Sequence, residues 1–594
     1  MNIVIRGLPR PLYLYLVLLL YIHRIVADTL YSVIINSPST DAAVVIDGQV
    51  YVLSPSGKSS IIFQAKAPSE KPYYYAKLKK GTKEIVERER FVRFPTARAW
   101  TFNEFYNRNW NAKKVLNFET VEGIAKSHNR RDDRDLHISG QIPTIHIQAD
   151  PASLISMHKQ YLDDVTVIAN VTHISATKVK HFMNVEFGIS GRTSRYFNKF
   201  PYKIKIPKED YSLSGFRHFK LRSVANDPSY MREYITANML HAVNQPTTRA
   251  SYVRLFMNEQ PIGLYLLVEK YDSTWLANEF DSKRNGQYKN GITYEGHGGR
   301  TEHNRADFSF KGDDPRVFEE SSFEIAEGPK DGKKDFGELV EFTRFIRDQH
   351  YLQRSTNSVA KARARYEWEK RLDVEGFLTN MAMEFLLGFA DGYTENTNNF
   401  YLYKDPERGK FVYIPWDYDY TLGNGPFDMD AMLVGDYMKF GRMSSLPLTS
   451  AILQVPEYRQ LLEHHIDLIA RNLLNTTTLF PIIDSIAEFI YDDVLWDQKL
   501  PRIGKGPSYI AGGLHAFLEG KIDQDASLPF CTSFSVAADF LIRVNHHVDF
   551  RLAIEGHTGY KSLLGVKEWF KRKLTNYYNR VDYMPGVLRQ LIHI

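Results

Sequence analysis

Residues 391–419 read DGYTENTNNFYLYKDPERGKFVYIPWDYD. Two alternating, aromatic-rich runs, NFYLY and FVYIP, flank the turn KDPERGK, and the pattern predicts a β-hairpin. Acid and amide residues gather at both ends. Asp391, Asn396, Asn398 and Asn399 precede the first strand, and Asp417 and Asp419 follow the second. A hairpin fixes the distance between its end loops through backbone hydrogen bonds, whatever its own side chains. The stretch therefore reads as a spacer between two polar loops.

Outward from the hairpin, residues 376–389 have helical spacing and run into Asp391. From 336 onward the chain is mainly helical, with GELVEFTRFIRDQ, SAILQVPEYRQLLEHHIDLIARNLL and LFPIIDSIAEFIY. Toward the N-terminus, FMNVEFGIS, YKIKI and RHFKLRS predict three strands. Asn226-Asp-Pro-Ser229 then signals a helix start, with Asp227 as N-cap. Met231, Ile235, Met239, Leu240 and Val243 follow at helical spacing, and SYVRLFMNEQ and PIGLYLLVEKYD predict a strand pair. The order over 183–272 is thus three strands, a helix and two strands.

The rest of the chain divides by composition. Residues 1–27 carry Arg6 and Arg10, then the apolar run Leu12–Ile22, with Ala27 before a cleavage point, and predict a secretory signal peptide. That run is short for a membrane span, and no second run of spanning length occurs, so no stable transmembrane span is expected. Residues 28–105 hold short Val-, Ile- and Tyr-rich runs between Pro/Gly/Ser turns and predict a β-sandwich module. Residues 106–140 read as a linker wrapping over its neighbours, and 273–335, rich in Gly, Asp, Lys and His, as an insertion or linker.

The whole chain of 594 residues has a net charge of +5, too diffuse to argue for nucleic-acid binding. Cys531 is the single cysteine, so no internal disulfide is available. Asn170 and Asn475 stand in glycosylation tripeptides. Zinc-protease, nucleophile-elbow and P-loop motifs do not occur, and Gly504-Lys-Gly506 lacks P-loop spacing.

A three-strand, helix, two-strand unit followed by a helical half is the layout of protein-kinase-like folds. Phosphoryl transfer needs an acid to accept the hydroxyl proton, then an amide and a second acid to hold a divalent metal. The hairpin ends supply these in that order, and oxygen ligands of this kind suit Mg²⁺ or Mn²⁺. FGISGRTSR (187–195), FKLRSVANDPSYMRE (219–233), VRLFMNEQPIGLYLLVEKYD (253–272), DGYTENTNNFYLY (391–403) and IPWDYDYTLG (414–423) occur in order. Together they resemble the spore-coat protein H (CotH) kinase family over roughly 140–550. The leader and the small β module resemble its fungal members.

The resemblance implies an α+β, atypical protein-kinase-like two-lobe fold behind the β-sandwich, with a first lobe over 141–272 and a mainly helical second lobe over 336–594. It implies Asp391 as the catalytic-loop acid. Asn399 matches the metal-ligating asparagine, with Asn396 its rival by spacing, and Asp417 matches the metal-binding acid, with Asp419 close enough to replace it. Lys220 and Glu233 stand where kinases place the phosphate-holding lysine and its glutamate, and Lys203 is the alternative lysine. Gly188 and Gly191 resemble a short nucleotide-covering turn, and Glu269–Asp272 falls near the interlobe hinge. The implied activity is transfer of the ATP γ-phosphate, with Mg²⁺ or Mn²⁺, to Ser or Thr of extracellular, cell-wall or spore-coat proteins. The implied location is secreted, at the cell surface or in the secretory lumen. The alternative is a non-catalytic surface adhesin or invasin of kinase-like fold, whose partner is a host-cell surface protein.

Overall fold

The computed structural model describes residues 28–582, except 70, 131–135, 210–211, 284–285, 300–303, 354–357 and 505–532. The expected signal peptide, Cys531 and Lys505-Gly506 lie outside the described residues.

Seven strands build the N-terminal module: β1 Thr29–Ile34, β2 Thr40–Ile46, β3 Gln49–Ser56, β4 Ser59–Ala67, β5 Tyr73–Lys79, β6 Ile85–Arg88 and β7 Trp100–Phe105. They join in the order β6-β5-β2-β3-β4-β1-β7. β3 pairs with β2 through Gln49–Leu53 and with β4 through Ser54–Ser56, so hydrogen bonding runs unbroken through the sheet. Alternation sends Tyr31, Val33, Val44, Ile46, Tyr73 and Tyr75 into one apolar cluster.

The next seven strands close a barrel. They are β8 Thr144–Gln148, β9 Thr166–Ile174, β10 Val179–Ile189, β11 Tyr202–Lys205, β12 His218–Arg222, β13 Ala250–Met257 and β14 Gln260–Glu269. Their order is β10-β11-β12-β14-β13-β8-β9. The helix Arg232–Ala242 lies between β12 and β13, as the residue pattern predicts. It begins later than expected. Met231 is its N-cap, and Asp227 instead accepts the Ser229 and Arg232 backbone N–H groups at 2.9 and 2.8 Å and binds the Arg232 guanidinium.

Residues 106–140 form no helix or strand among the described residues, and they do wrap. Arg108 reaches Asp493 (3.2 Å), Val121 N–H reaches the Ala242 carbonyl (2.8 Å) and Asn129 N–H that of Glu279 (2.7 Å). The segment 273–335 is more than an insertion. It holds the helix Ser273–Phe280 and the strands β15 Thr293–His297 and β16 Phe323–Glu327. With β17 Asn398–Asp405 and β18 Lys410–Pro415 these make a sheet of order β16-β15-β17-β18. The hairpin of 391–419 is therefore not free-standing: β15 pairs along β17 from Thr293↔Tyr403 to His297↔Asn398. Five-residue strands, one of them interrupted by Gly296, carry too short a period to read from sequence.

The remaining helices follow the expected helical half, among them Val374–Leu387, Pro456–Asn472, Thr476–Lys499, Phe534–Arg543 and Val566–Asp582. One apolar core runs through barrel, hairpin and helices, from Ile145 and Leu221 through Phe377 and Tyr413 to Trp569. Val374–Leu387 is buried along its length, starts on the Asp373 cap and ends at Gly388 in the left-handed region (φ 62°). A Cβ at Gly388 would lie 2.4 Å from Trp569, so the turn toward Asp391 needs glycine on both counts. Among the described residues no single helix is long and apolar enough to cross a membrane.

Candidate active site

Asp391 sits just past the end of that central helix. Glu384, inside the helix, holds the loop in place. Its carboxylate accepts the backbone N–H groups of Tyr393 (3.1 Å) and Thr394 (2.9 Å), the Thr394 hydroxyl (2.7 Å) and the Tyr413 hydroxyl (2.8 Å). These donors receive the buried charge at the start of the short helical turn Tyr393–Asn396. The loop then folds its amides back onto Asp391. Asn396, Asn398 and Asn399 each donate a side-chain N–H to its carboxylate, at 2.6, 3.0 and 2.9 Å. Burial, and to a smaller degree the Asp417 charge, push the Asp391 carboxyl up to about 6 against those three donors.

The two ends of the hairpin meet. Trp416 N–H donates to the Asn399 carbonyl at 2.9 Å, which seats Asp417 beside the asparagine loop. Thr397, Asn399, Asp417 and Leu422 all have positive φ, as do Val224 and Tyr230 across the cleft. Non-glycine residues in that region cost free energy, and they gather at this site.

The cation facing the acids is Arg222. Its guanidinium grips both oxygens of Asp417, bonds Glu233 at 2.9 Å and stands 3.7 Å from Asp419. Burial opposes the charge on Asp417, but Arg222 and then Lys220 outweigh it, and its carboxyl ends below the usual range. Asp419 is pushed well up, by burial first and then by Asp417. Glu233 is also raised, by burial only partly offset by Arg222. Asp419 accepts the Asn226 amide at 2.9 Å.

The barrel forms the facing wall. Gly188, Lys203 and Lys220 are directly opposite one another on β10, β11 and β12, so they share one face. Lys220 is half-buried, with Nζ 4.8 Å from the Trp416 ring centre. Burial lowers its pKa against Glu295, its largest opposing influence. The structure thus changes two expectations. Glu233 pairs with Arg222, two residues beyond Lys220 on the same strand face, and Lys203 is half-exposed, 3.7 Å from Asp164. The Gly188–Gly191 turn also differs. Gly188 lies inside β10, where a Cβ would come 2.7 Å from the Val165 carbonyl oxygen, and only Gly191 (φ 80°) begins the loop to β11. Of the expected hinge, Glu269 is committed to His137 (3.0 Å) and Asp272 caps the helix Ser273–Phe280.

Asp391, Asn396, Asn399, Asp417 and Asp419 are therefore brought together, with Lys220 and Glu233 opposite. Arg222, Asn226, Glu384 and Trp416 complete the site and escaped the sequence reading. For Arg222 the signal was present, since period two places it on the Lys220 face. The Asn399, Asp417 and Asp419 side chains form an all-oxygen donor set, and Arg222 balances only part of its charge, so the set fits a hard divalent cation. A separate group, Glu295, His297 and Glu324, brings its ligand atoms within 4.8 Å of one another, with His297 already bonded to Glu324 at 3.0 Å.

Acid and amide side chains at the two ends of a hairpin make the site, and comparison with known proteins gives the family. The chain belongs to the CotH kinase protein family, whose model matches residues 187–500. It is 25% identical to invasin CotH2 of Rhizopus delemar over 483 residues, 80% of this chain and 76% of that one. Invasin CotH3 of the same fungus is 23% identical over the same shares. The inner spore coat protein H of Bacillus subtilis is 25% identical over 379 residues, 62% of this chain and 93% of its own length.

Proposed function

We propose that the chain is a secreted, metal-dependent protein kinase that transfers the γ-phosphate of ATP to Ser or Thr hydroxyls of surface, cell-wall or spore-coat proteins. The barrel and the helical half act as its two lobes, behind a β-sandwich-like module. One observation carries the reading. A half-buried carboxylate held by three amides, Asp391, is tied by the Asn399–Trp416 backbone bond to an acid pair whose charge Arg222 does not fully balance.

Asp391 is the proton acceptor. At about 6 its carboxyl is ionised at neutral pH yet basic enough to take a hydroxyl proton. The three amides aim it and keep it from swinging toward Asp417. Asn399 and Asp417 would hold Mg²⁺ or Mn²⁺, with Asp419 beside them and Asn396 supporting Asp391. When bound, the metal supplies the charge neutralisation that phosphoryl transfer needs. Lys220 and Arg222 present positive charge to phosphates from β12, and Glu233 orients Arg222. Gly188 lets β10 approach without a side chain, over the wall that Trp416 and Lys220 form.

A surface-binding role is the second reading. It is favoured by the invasin names of the two fungal relatives, and its partner is a protein on a host cell. Thermal denaturation separates the two. Catalysis predicts a rise in the unfolding midpoint with ATP plus Mn²⁺ that neither gives alone and that Asp417→Asn removes. A midpoint indifferent to ATP and Mn²⁺, with saturable binding to a cell surface, overturns the kinase reading.

A further inference from the structure

Asp419 is held from two directions, and both lead to one residue far along the chain. Asn226 donates its side-chain N–H to the Asp419 carboxylate at 2.9 Å, and Asn424 donates its own to the Asp419 backbone carbonyl at 2.7 Å. Both asparagines are tied to it. The Asn226 backbone carbonyl accepts Arg543 Nη1 at 2.8 Å, and the Asn424 side-chain oxygen accepts Arg543 Nη2 at 2.8 Å. Arg543 Nε donates to the Ser562 hydroxyl at 3.0 Å. The hydrogen bonds close a ring: Arg543, Asn226, Asp419, Asn424 and back to Arg543.

Arg543 ends the helix Phe534–Arg543, beyond the family-matched residues 187–500, and its side chain is fully buried. Its hydrogen-bond partners are all neutral oxygens. A buried charge without a carboxylate partner is costly, so an arginine there serves for its shape. A planar fork with five fixed donors can hold the strand-to-helix loop at Asn226 and the loop after Asp419 together. A lysine, with one nitrogen, reaches only one of them well. Phe540 and Val544 seat the helix against Phe197. Residues 562–564 clip on from the other side, with Leu564 N–H on the Gly423 carbonyl at 2.8 Å and Gly425 N–H on that of Ser562 at 3.1 Å.

We infer that Arg543 is a positioning residue of the candidate metal site: through Asn226 and Asn424 it sets the place and orientation of Asp419. The inference rests on the reading of Asp417 and Asp419 as the cation-holding end of the hairpin. It makes the C-terminal segment part of the site rather than an appendage, because the second acid is aimed from there.

The test titrates MnCl₂ into the full chain with a non-hydrolysable ATP analogue, by calorimetry, beside thermal unfolding of the apo protein. Arg543→Lys keeps the charge and loses the fork, and Asn424→Ala cuts the ring without touching the helix. Each should weaken Mn²⁺ by about 10- to 100-fold, the usual effect of a second layer of ligand support. Val544→Ala, on the same helix end, should lower the apo midpoint and leave Mn²⁺ affinity unchanged. If Arg543→Lys fails to fold, Asn424→Ala decides. Wild-type Mn²⁺ affinity in Arg543→Lys, or in Asn424→Ala when that variant decides, overturns the inference while the site survives. A wild-type protein that takes up no Mn²⁺ overturns the site reading and the inference with it.

Discussion

Two charge clusters of this molecule differ in their balance. One lies where the barrel meets the helix Thr476–Lys499. There Asp493 takes both arms of Arg254 (2.7 and 2.9 Å) and Arg108 (3.2 Å). One turn on, Asp497 takes Lys199 (2.7 Å), Arg502 (2.8 Å), the Tyr230 hydroxyl (2.6 Å) and Leu264 N–H (2.8 Å). Burial opposes both charges, yet the cations outweigh it and both carboxyls fall below the usual range. The other cluster is the cleft. Arg222 alone bonds Glu233 and Asp417 and stands near Asp419, so one carboxyl is lowered while Glu233, Asp419 and Asp391 are raised. A cluster satisfied on every side holds the fold. A cluster left with surplus negative charge is one that a cation would balance, as the proposed function requires.

The contrast breaks most visibly at Asp493. Asp493→Ala strands the buried Arg254 guanidinium, releases Arg108 and should cost about 3–5 kcal/mol, read from the urea midpoint. Arg222→Met should cost less, about 2 kcal/mol, because the acids it serves are partly reached by water. Its sign with pH is specific. The raised carboxyls of Glu233 and Asp419 lie above their unfolded values, so stability falls as pH rises through them, and the variant should lose more at pH about 8 than at about 5.

A smaller effect sits on Asp391. It must be ionised to accept a proton, so kcat/KM should fall on the acid side of about 6, by about tenfold per pH unit, or about 1.4 kcal/mol. A flat pH–rate profile through that range would sink its role as base. Asp417→Asn should cost about 1 kcal/mol of stability, since it removes the charge that Arg222 grips with both arms, while the amide oxygen still accepts from the guanidinium and Arg222 keeps Glu233. Lys203→Ala should stay within about 0.5 kcal/mol, because its partner Asp164 is itself exposed.

Periodicity and turn chemistry made the hairpin, the central helix and the strand order from β10 to β14 legible, because each is a local pattern over many residues. The polar residues at the hairpin ends were legible for the same reason. What escaped was decided across the chain. β15 and β16 are too short to carry a period, yet they build the sheet that holds the hairpin. Glu384 resembled any helix-face acid until the fold brought Tyr393, Thr394 and Tyr413 to it. Lys220 and Arg222 share a strand face, and only the position of Glu233 on the next helix decides which of them pairs with it.

Phosphate transfer itself is the decisive measurement. The purified chain, Asp391→Asn and Asp417→Asn, matched for unfolding midpoint, would be incubated with γ-labelled ATP, Mn²⁺ and a Ser/Thr-bearing protein. Label is expected on Ser or Thr with the wild type, with a loss of at least about a hundredfold in both variants. Labelling that survives in either folded variant, or its absence from the wild type, would contradict the proposed function.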